Sequence, residues 1–267
     1  MRTGRLRTSW DGHLLLAYSH AGERATGLAA WAQDGLDQHE QLICTELGAQ
    51  IGVVGVLERG GVPAAAAVRE GALEVLPPGE QAVLTPAGLR GRLARALDAG
   101  YAGLRVCREL DSDVPRPSDV CRGVSDGLDE VGACGRIGWL CRQDRGRGRE
   151  RLERLVDAHP DGLRTTMLTT RPVGDGLALA GEVDISNVEL FEAAVARATH
   201  NDRQVLWLDV ADLRFMDVAG CRALARTTRA LRNAGGSLLI VDPLPPVAHV
   251  LRLLGVDRLR GLELLDR

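Results

Sequence analysis

The stretch RFMDVAGCRAL, Arg214–Leu224, decides how the second half of the chain is read. It continues an apolar run, QVLWLDVA (Gln204–Ala211), of the length and content of a buried strand. It then opens a helix that puts Cys221, Leu224, Thr228 and Leu231 on one face and closes at Gly235-Gly236. Asp217 and Gly220 sit at the strand-to-helix junction. A carboxylate there caps the first helical turn and meets the positive end of the helix dipole, a contribution of about 0.5–1 kcal/mol. The same geometry suits a phosphate at the helix start. Val218 and Ala219 have no hydroxyl to carry one, and Thr227 and Thr228 come two turns later.

Working outward, LALAGEV (Leu177–Val183) reads as a strand. SNVELFEAAVARA follows as a helix opened by a capping box between Ser186 and Glu189. After the Asp217 helix come a strand, SLLIV (Ser237–Val241), and a short amphipathic helix, PPVAHVLRLLGV, closed by Gly255. Upstream, the Pro/Gly punctuation of TTRPVGDG (169–176) is the best candidate for a domain boundary.

The first half alternates strands and helices. HLLLAYS (His13–Ser19), QLICTE (Gln41–Glu46), LRVCREL (Leu104–Leu110) and GRIGWLCR (Gly135–Arg142) read as strands. ERATGLAAWAQDGL and TPAGLRGRLARALDAG read as helices, the second with Thr85 as cap, Pro86 at the first helical position and Gly100 as terminator. An Arg-rich helix, Arg149–His159, runs into Pro160. The alternation predicts an α/β layer with a largely parallel sheet.

Composition excludes several function classes. All 33 basic residues are Arg, so the chain has no lysine with which a P-loop could reach a phosphate. No GxGxxG follows a strand, and HExxH does not occur. Net charge is -3 with acids and bases interspersed, so no basic stripe points to nucleic acid. No apolar run approaches the roughly 18 residues a membrane span needs. The N-terminal MRTGRLRTSWDGH lacks the apolar core of a secretory signal. None of the six cysteines, Cys44, Cys107, Cys121, Cys134, Cys141 and Cys221, forms a CxxC pair. They read as reduced core thiols of a cytoplasmic protein with no metal and no cofactor. His13 and His20 flank one strand roughly 20 Å apart, too far to share an ion. Trp31 and Trp139 read as core residues, as does Cys141 unless a pocket reaches it.

Residues 171–262 resemble a STAS domain of the bacterial anti-sigma-factor-antagonist type, through LALAGEVDIS, QVLWLDVADLRFMDVAGCRAL, GGSLLIVDP and VAHVLRLLGVDRL. The resemblance implies a small α/β domain with a mixed sheet backed by helices. It also implies protein binding rather than catalysis. In that family an antagonist docks a kinase-like anti-sigma factor, and phosphorylation of a serine in the Asp-x-Ser-Gly loop reverses the docking. Here the serine position is Ala219. The docking loop Asp217, Val218, Ala219, Gly220 is retained without its phosphoacceptor.

Residues 10–165 resemble a MEDS domain, the methanogen/methylotroph DcmR sensory domain. The carrying stretches are HLLLAYSHAGERATGLAAWAQDGLDQHEQLICTE, YAGLRVCREL, GWLCRQDR and DAHPDGL. The resemblance implies a RecA-like three-layer α/β fold that has lost nucleotide hydrolysis and senses a small molecule, with His13 and Cys141 at the ligand pocket. Together the halves suggest a non-enzymatic bacterial signalling protein whose STAS domain docks a kinase-like anti-sigma factor or related ATPase under sensory control. Two alternatives stand beside it. One is a STAS scaffold that assembles with itself or with other STAS proteins. The other is a degenerate nucleotide-binding or enzymatic N-terminal domain.

Overall fold

The computed structural model describes residues 10, 12–46, 52–77, 85–110, 117–131, 136–199 and 204–266. The N-terminal stretch 1–9 and Cys134 lie outside them. Contacts divide the chain into two compact units, one spanning Trp10–Gly148 and one beginning at Arg149.

The N-terminal unit runs β1 (Gly12–Tyr18), α1 (Ala21–Asp37), β2 (Gln41–Thr45), α2 (Val53–Arg59), α3 (Ala64–Arg69), β3 (Leu73–Leu76), α4 (Pro86–Asp98), β4 (Leu104–Glu109), α5 (Pro117–Val131) and β5 (Ile137–Asp144). Its strands lie in the order β3-β2-β4-β5-β1, every neighbouring pair parallel. Strands buried on both faces read as continuous apolar runs, which is why HLLLAYS and QLICT stand out in the sequence. Alternation divides their side chains between two faces. Leu14, Leu16, Cys44, Cys107 and Leu140 join Leu28 and Trp31 of α1 and Val53, Val56 and Leu57 of α2 in one apolar cluster. His13, Leu15, Trp139 and Cys141 take the alternate positions and are equally buried. Helix α4 begins as expected, with the Thr85 hydroxyl accepting from the Gly88 amide at 3.2 Å. The Arg105 guanidinium is buried against α1, where it pairs with Asp34 at 2.7 Å and with Glu40 and donates to the Trp31 carbonyl at 3.2 Å.

The second unit runs α6 (Arg149–Asp157), β6 (Leu163–Arg164), β7 (Leu168–Val173), β8 (Gly176–Val183), α7 (Val188–Thr199), β9 (Val205–Met216), α8 (Val218–Thr227), α9 (Arg229–Asn233), β10 (Ser237–Val241), α10 (Pro245–Leu253) and β11 (Leu262–Leu265). Its sheet is mixed. β6, β7 and β8 pair antiparallel, and β8, β9, β10 and β11 pair parallel. The stretch TTRPVGDG is not a linker: it forms most of β7 and a tight turn, with Val173 paired to Gly176. Pro172 is tolerated because β6 pairs with β7 only as far as Thr170, leaving that side of Pro172 without a ladder to complete. Gly181 has φ +95°, and a Cβ there would lie 2.0 Å from the Met167 carbonyl oxygen. Only glycine lets β8 bulge past that carbonyl. Arg197 of α7 ties α6 and the segment after it to this unit. It donates to the carbonyls of Val156 at 3.1 Å, His159 at 2.8 Å and Pro160 at 3.0 Å. Among the described residues, no helix is long and apolar enough to cross a membrane.

The Asp217 helix differs from expectation in one respect. It is interrupted at Thr228, whose buried hydroxyl donates to the Leu224 carbonyl at 2.7 Å and divides α8 from α9. A threonine that bonds back to its own helix in this way bends it. The apolar face is unaffected, since Cys221, Leu224, Thr228 and Leu231 are all buried.

Candidate functional site

Asp217 follows β9 in an extended conformation and uses both carboxylate oxygens on backbone amides. Oδ1 accepts from the Gly220 amide at 2.7 Å, capping α8. Oδ2 accepts from the Ile185 amide at 3.0 Å, in the loop between β8 and α7. The Asp217 amide itself donates to the Val183 carbonyl at 3.0 Å. One aspartate therefore locks two loops together at the carboxyl ends of two parallel strands. Gly220 is forced by packing, because a Cβ there would lie 2.7 Å from Val183 Cγ1 and 2.9 Å from Met216 Cγ.

What the clamp presents to solvent is apolar. Ile185 is 79% exposed and Val218 43% exposed, with Ala219 half-buried beside Val218 and Phe215 exposed on the preceding strand. Exposed apolar residues grouped on backbone-anchored loops suit protein contact. Cys221, beneath the loop, is buried, and burial together with the charge of Asp217 pushes its thiol up to about 11. It is therefore a core thiol rather than a nucleophile. Asp217→Ala is expected to destabilise the second unit by about 1 kcal/mol through the lost cap. It also frees the Ile185 loop, seen as faster amide exchange at Ile185 as well as at Gly220. Exchange that rises only at Gly220 would show that the two loops are held independently.

The sequence reading missed the Ile185 loop because it lies 32 residues from Asp217. It also places the cap of α7 at Ser186. Asn187, not Ser186, directly precedes α7, and the Ser186 hydroxyl donates to Asp184 at 2.6 Å. Ser186 is exposed next to the amide that Asp217 holds, whereas Thr228 is buried.

In the N-terminal unit the two ligand candidates are in contact. His13 Nε2 lies 3.3 Å from Cys141 Sγ, and both residues are 1% exposed. Helix α5 adds two neighbours that were not among the sequence candidates: Ser125, the centre of the stretch GVSDG (Gly123–Gly127), whose Oγ is 2.8 Å from His13 Nδ1, and Cys121, whose sulfur is 3.7 Å from that of Cys141. Burial and the adjacent Cys121 push the Cys141 thiol well above its ordinary range. His20 stands apart as the cap of α1, its Nδ1 accepting from the Glu23 amide at 3.3 Å. Trp31 and Trp139 are core residues. At the carboxyl ends of the strands, Tyr18 donates to the buried Glu109, which also lies 3.5 Å from the buried guanidinium of Arg142.

A parallel α/β unit followed by a smaller mixed-sheet unit with a capped, apolar loop is the class these features define. Residues 12–160, more than half of the chain, match the family model described as MEDS: MEthanogen/methylotroph, DcmR Sensory domain, and the chain belongs to that family. Residues 175–264 match the STAS domain. The chain is thus an N-terminal MEDS domain joined to a C-terminal STAS domain. The MEDS match runs past Gly148 to include α6, which packs in the second unit.

Among solved structures, the chain is similar to a putative anti-sigma factor antagonist from Thermotoga maritima, at 23% identity over 38% of this chain and 88% of that one, with a TM-score of 0.33. It is similar to an anti-sigma factor antagonist from Mycobacterium paratuberculosis, at 20% identity over 36% of this chain and 84% of that one, with a TM-score of 0.32. A third is the anti-sigma factor antagonist SpoIIAA in its unphosphorylated form, at 21% identity over 38% and 87%, with a TM-score of 0.32. A comparison with curated proteins finds no match.

Proposed function

We propose that the chain is a non-catalytic signalling protein whose STAS domain docks a kinase-like anti-sigma factor, or a related ATPase, through the loop Asp217–Gly220. The observation that carries this reading is the double use of Asp217, which holds an apolar surface of Val218 and Ile185 in place. Ala219 leaves the loop no phosphoacceptor, so the N-terminal domain takes over control of docking. That domain, assigned to residues 10–165 and read as RecA-like, senses a small molecule near His13 and Cys141. The STAS domain is assigned to residues 171–262. The scaffold reading has an observation of its own: Trp207 and Val205 on β9 are also partly exposed, which would suit self-association.

The test is affinity capture from the source cells, with mass spectrometry of what the full chain and a 149–267 fragment each retain. The fragment starts at Arg149 because α6 and β7 belong to the second unit. Recovery of an ATPase of the anti-sigma kinase type by either bait supports docking. Recovery of STAS proteins alone would replace it with the scaffold reading.

A further inference from the structure

Two thiols and one imidazole converge beneath α5, and their spacing is that of ligands around a single ion. Donor atoms of His13, Cys121 and Cys141 lie within 4.8 Å of one another, and all three side chains are buried. In a tetrahedral zinc site, with Zn–S about 2.3 Å and Zn–N about 2.0–2.1 Å, two sulfurs sit about 3.8 Å apart and a sulfur and a nitrogen about 3.5 Å apart. The observed separations are 3.7 Å for Cys121 Sγ to Cys141 Sγ and 3.3 Å for His13 Nε2 to Cys141 Sγ. Ser125 is a second, independent observation. Its hydroxyl meets His13 Nδ1 at 2.8 Å, so Nδ1 can donate there and Nε2 keeps its lone pair toward the sulfurs. That is the outer-shell contact a metal-binding histidine needs to fix its tautomer.

We propose that His13 Nε2, Cys121 Sγ and Cys141 Sγ bind one zinc ion in the MEDS domain. The donor set suits a thiophilic ion with no redox chemistry of its own, and two thiolates with one imidazole disfavour magnesium or calcium. Each thiol releases its proton to solvent on coordination, so binding one ion liberates two protons. The fourth donor of a tetrahedral ion comes from outside these three residues. The proposal departs from the expectation of no metal in this chain, and it stands on geometry alone, independently of STAS docking.

The test is cobalt(II) titration of the full-length chain, purified without metal and verified as folded by circular dichroism. The expected result is one equivalent bound, with thiolate-to-cobalt charge-transfer absorption that zinc abolishes. Cys121→Ala, Cys141→Ala and His13→Ala should each remove that absorption. Cys107→Ala, which alters the separate Cys44–Cys107 pair on β2 and β4, should retain it. Ser125→Ala should bind about 10- to 100-fold more weakly, because it removes only the orienting contact. A folded wild-type chain with no charge-transfer absorption would overturn the proposal without help from any variant. Absorption undiminished in a folded Cys121→Ala/Cys141→Ala chain would overturn it as well.

Discussion

Arg105→Ala is expected to destabilise the N-terminal unit by about 3–5 kcal/mol, the cost of breaking a buried ion pair from one side. Arg105 is 1% exposed, and its removal takes the guanidinium away from the largely buried Glu40 and the partly exposed Asp34. The Trp31 carbonyl loses its donor at the same time. Urea unfolding followed by tryptophan fluorescence reads this directly. Trp10, Trp31 and Trp139 are buried in this unit, while Trp207 of the second unit is partly exposed. The combined replacement Arg105→Met, Asp34→Leu, Glu40→Leu should recover most of the loss, since a buried ion cluster exchanged whole for apolar side chains is close to neutral. A loss under about 1 kcal/mol for Arg105→Ala alone would mean that water reaches the two carboxylates.

Ala219→Asp is expected to leave the fold intact and to weaken partner binding by on the order of 2 kcal/mol, roughly 30-fold in Kd. The second helical position of α8 favours a carboxylate, so the substitution does not threaten the helix. The same charge would be desolvated against the partner without a counter-ion, and the loss comes from that. Isothermal titration with the captured ATPase measures it. Binding unchanged by Ala219→Asp would place the interface elsewhere. The companion substitution Ala219→Ser should bind as the parent does and gain a phosphate when the partner and ATP are supplied.

Most elements were legible because their signals are local. The buried strands β1, β2, β4 and β5 are short apolar runs with clear ends, and α4 carries Thr85, Pro86 and Gly100 at the positions where a helix starts and stops. Helices α2 and α3 have only seven and six residues, too short for a helical period to register. Strand β9 runs on to Met216, past the apolar run that announced it, because Asp212 and Arg214 on the less buried positions conceal the alternation. TTRPVGDG looked like a boundary because proline and glycine punctuate hairpins as well as linkers.

The sites were legible in part for the same reason. The capping role of Asp217 toward Gly220 is a three-residue relation and could be read directly. Its grip on Ile185, 32 residues away, could not. His13 and Cys141 were picked out by resemblance, and the fold places them in contact. Cys121 and Ser125 reach them only because α5 packs over that face of the sheet, a fact no spacing in the chain encodes.

The central claim is that docking is governed by the sensory domain and not by phosphate on the loop. The most direct measurement is the affinity of the captured ATPase for the full chain and for residues 149–267, each with ATP present, with intact-mass analysis of both afterwards. The account predicts affinities that differ by roughly tenfold or more, the scale of an ordinary coupling between domains, and no added phosphate on either protein. Equal affinities, or a phosphate on the wild-type chain, would contradict it.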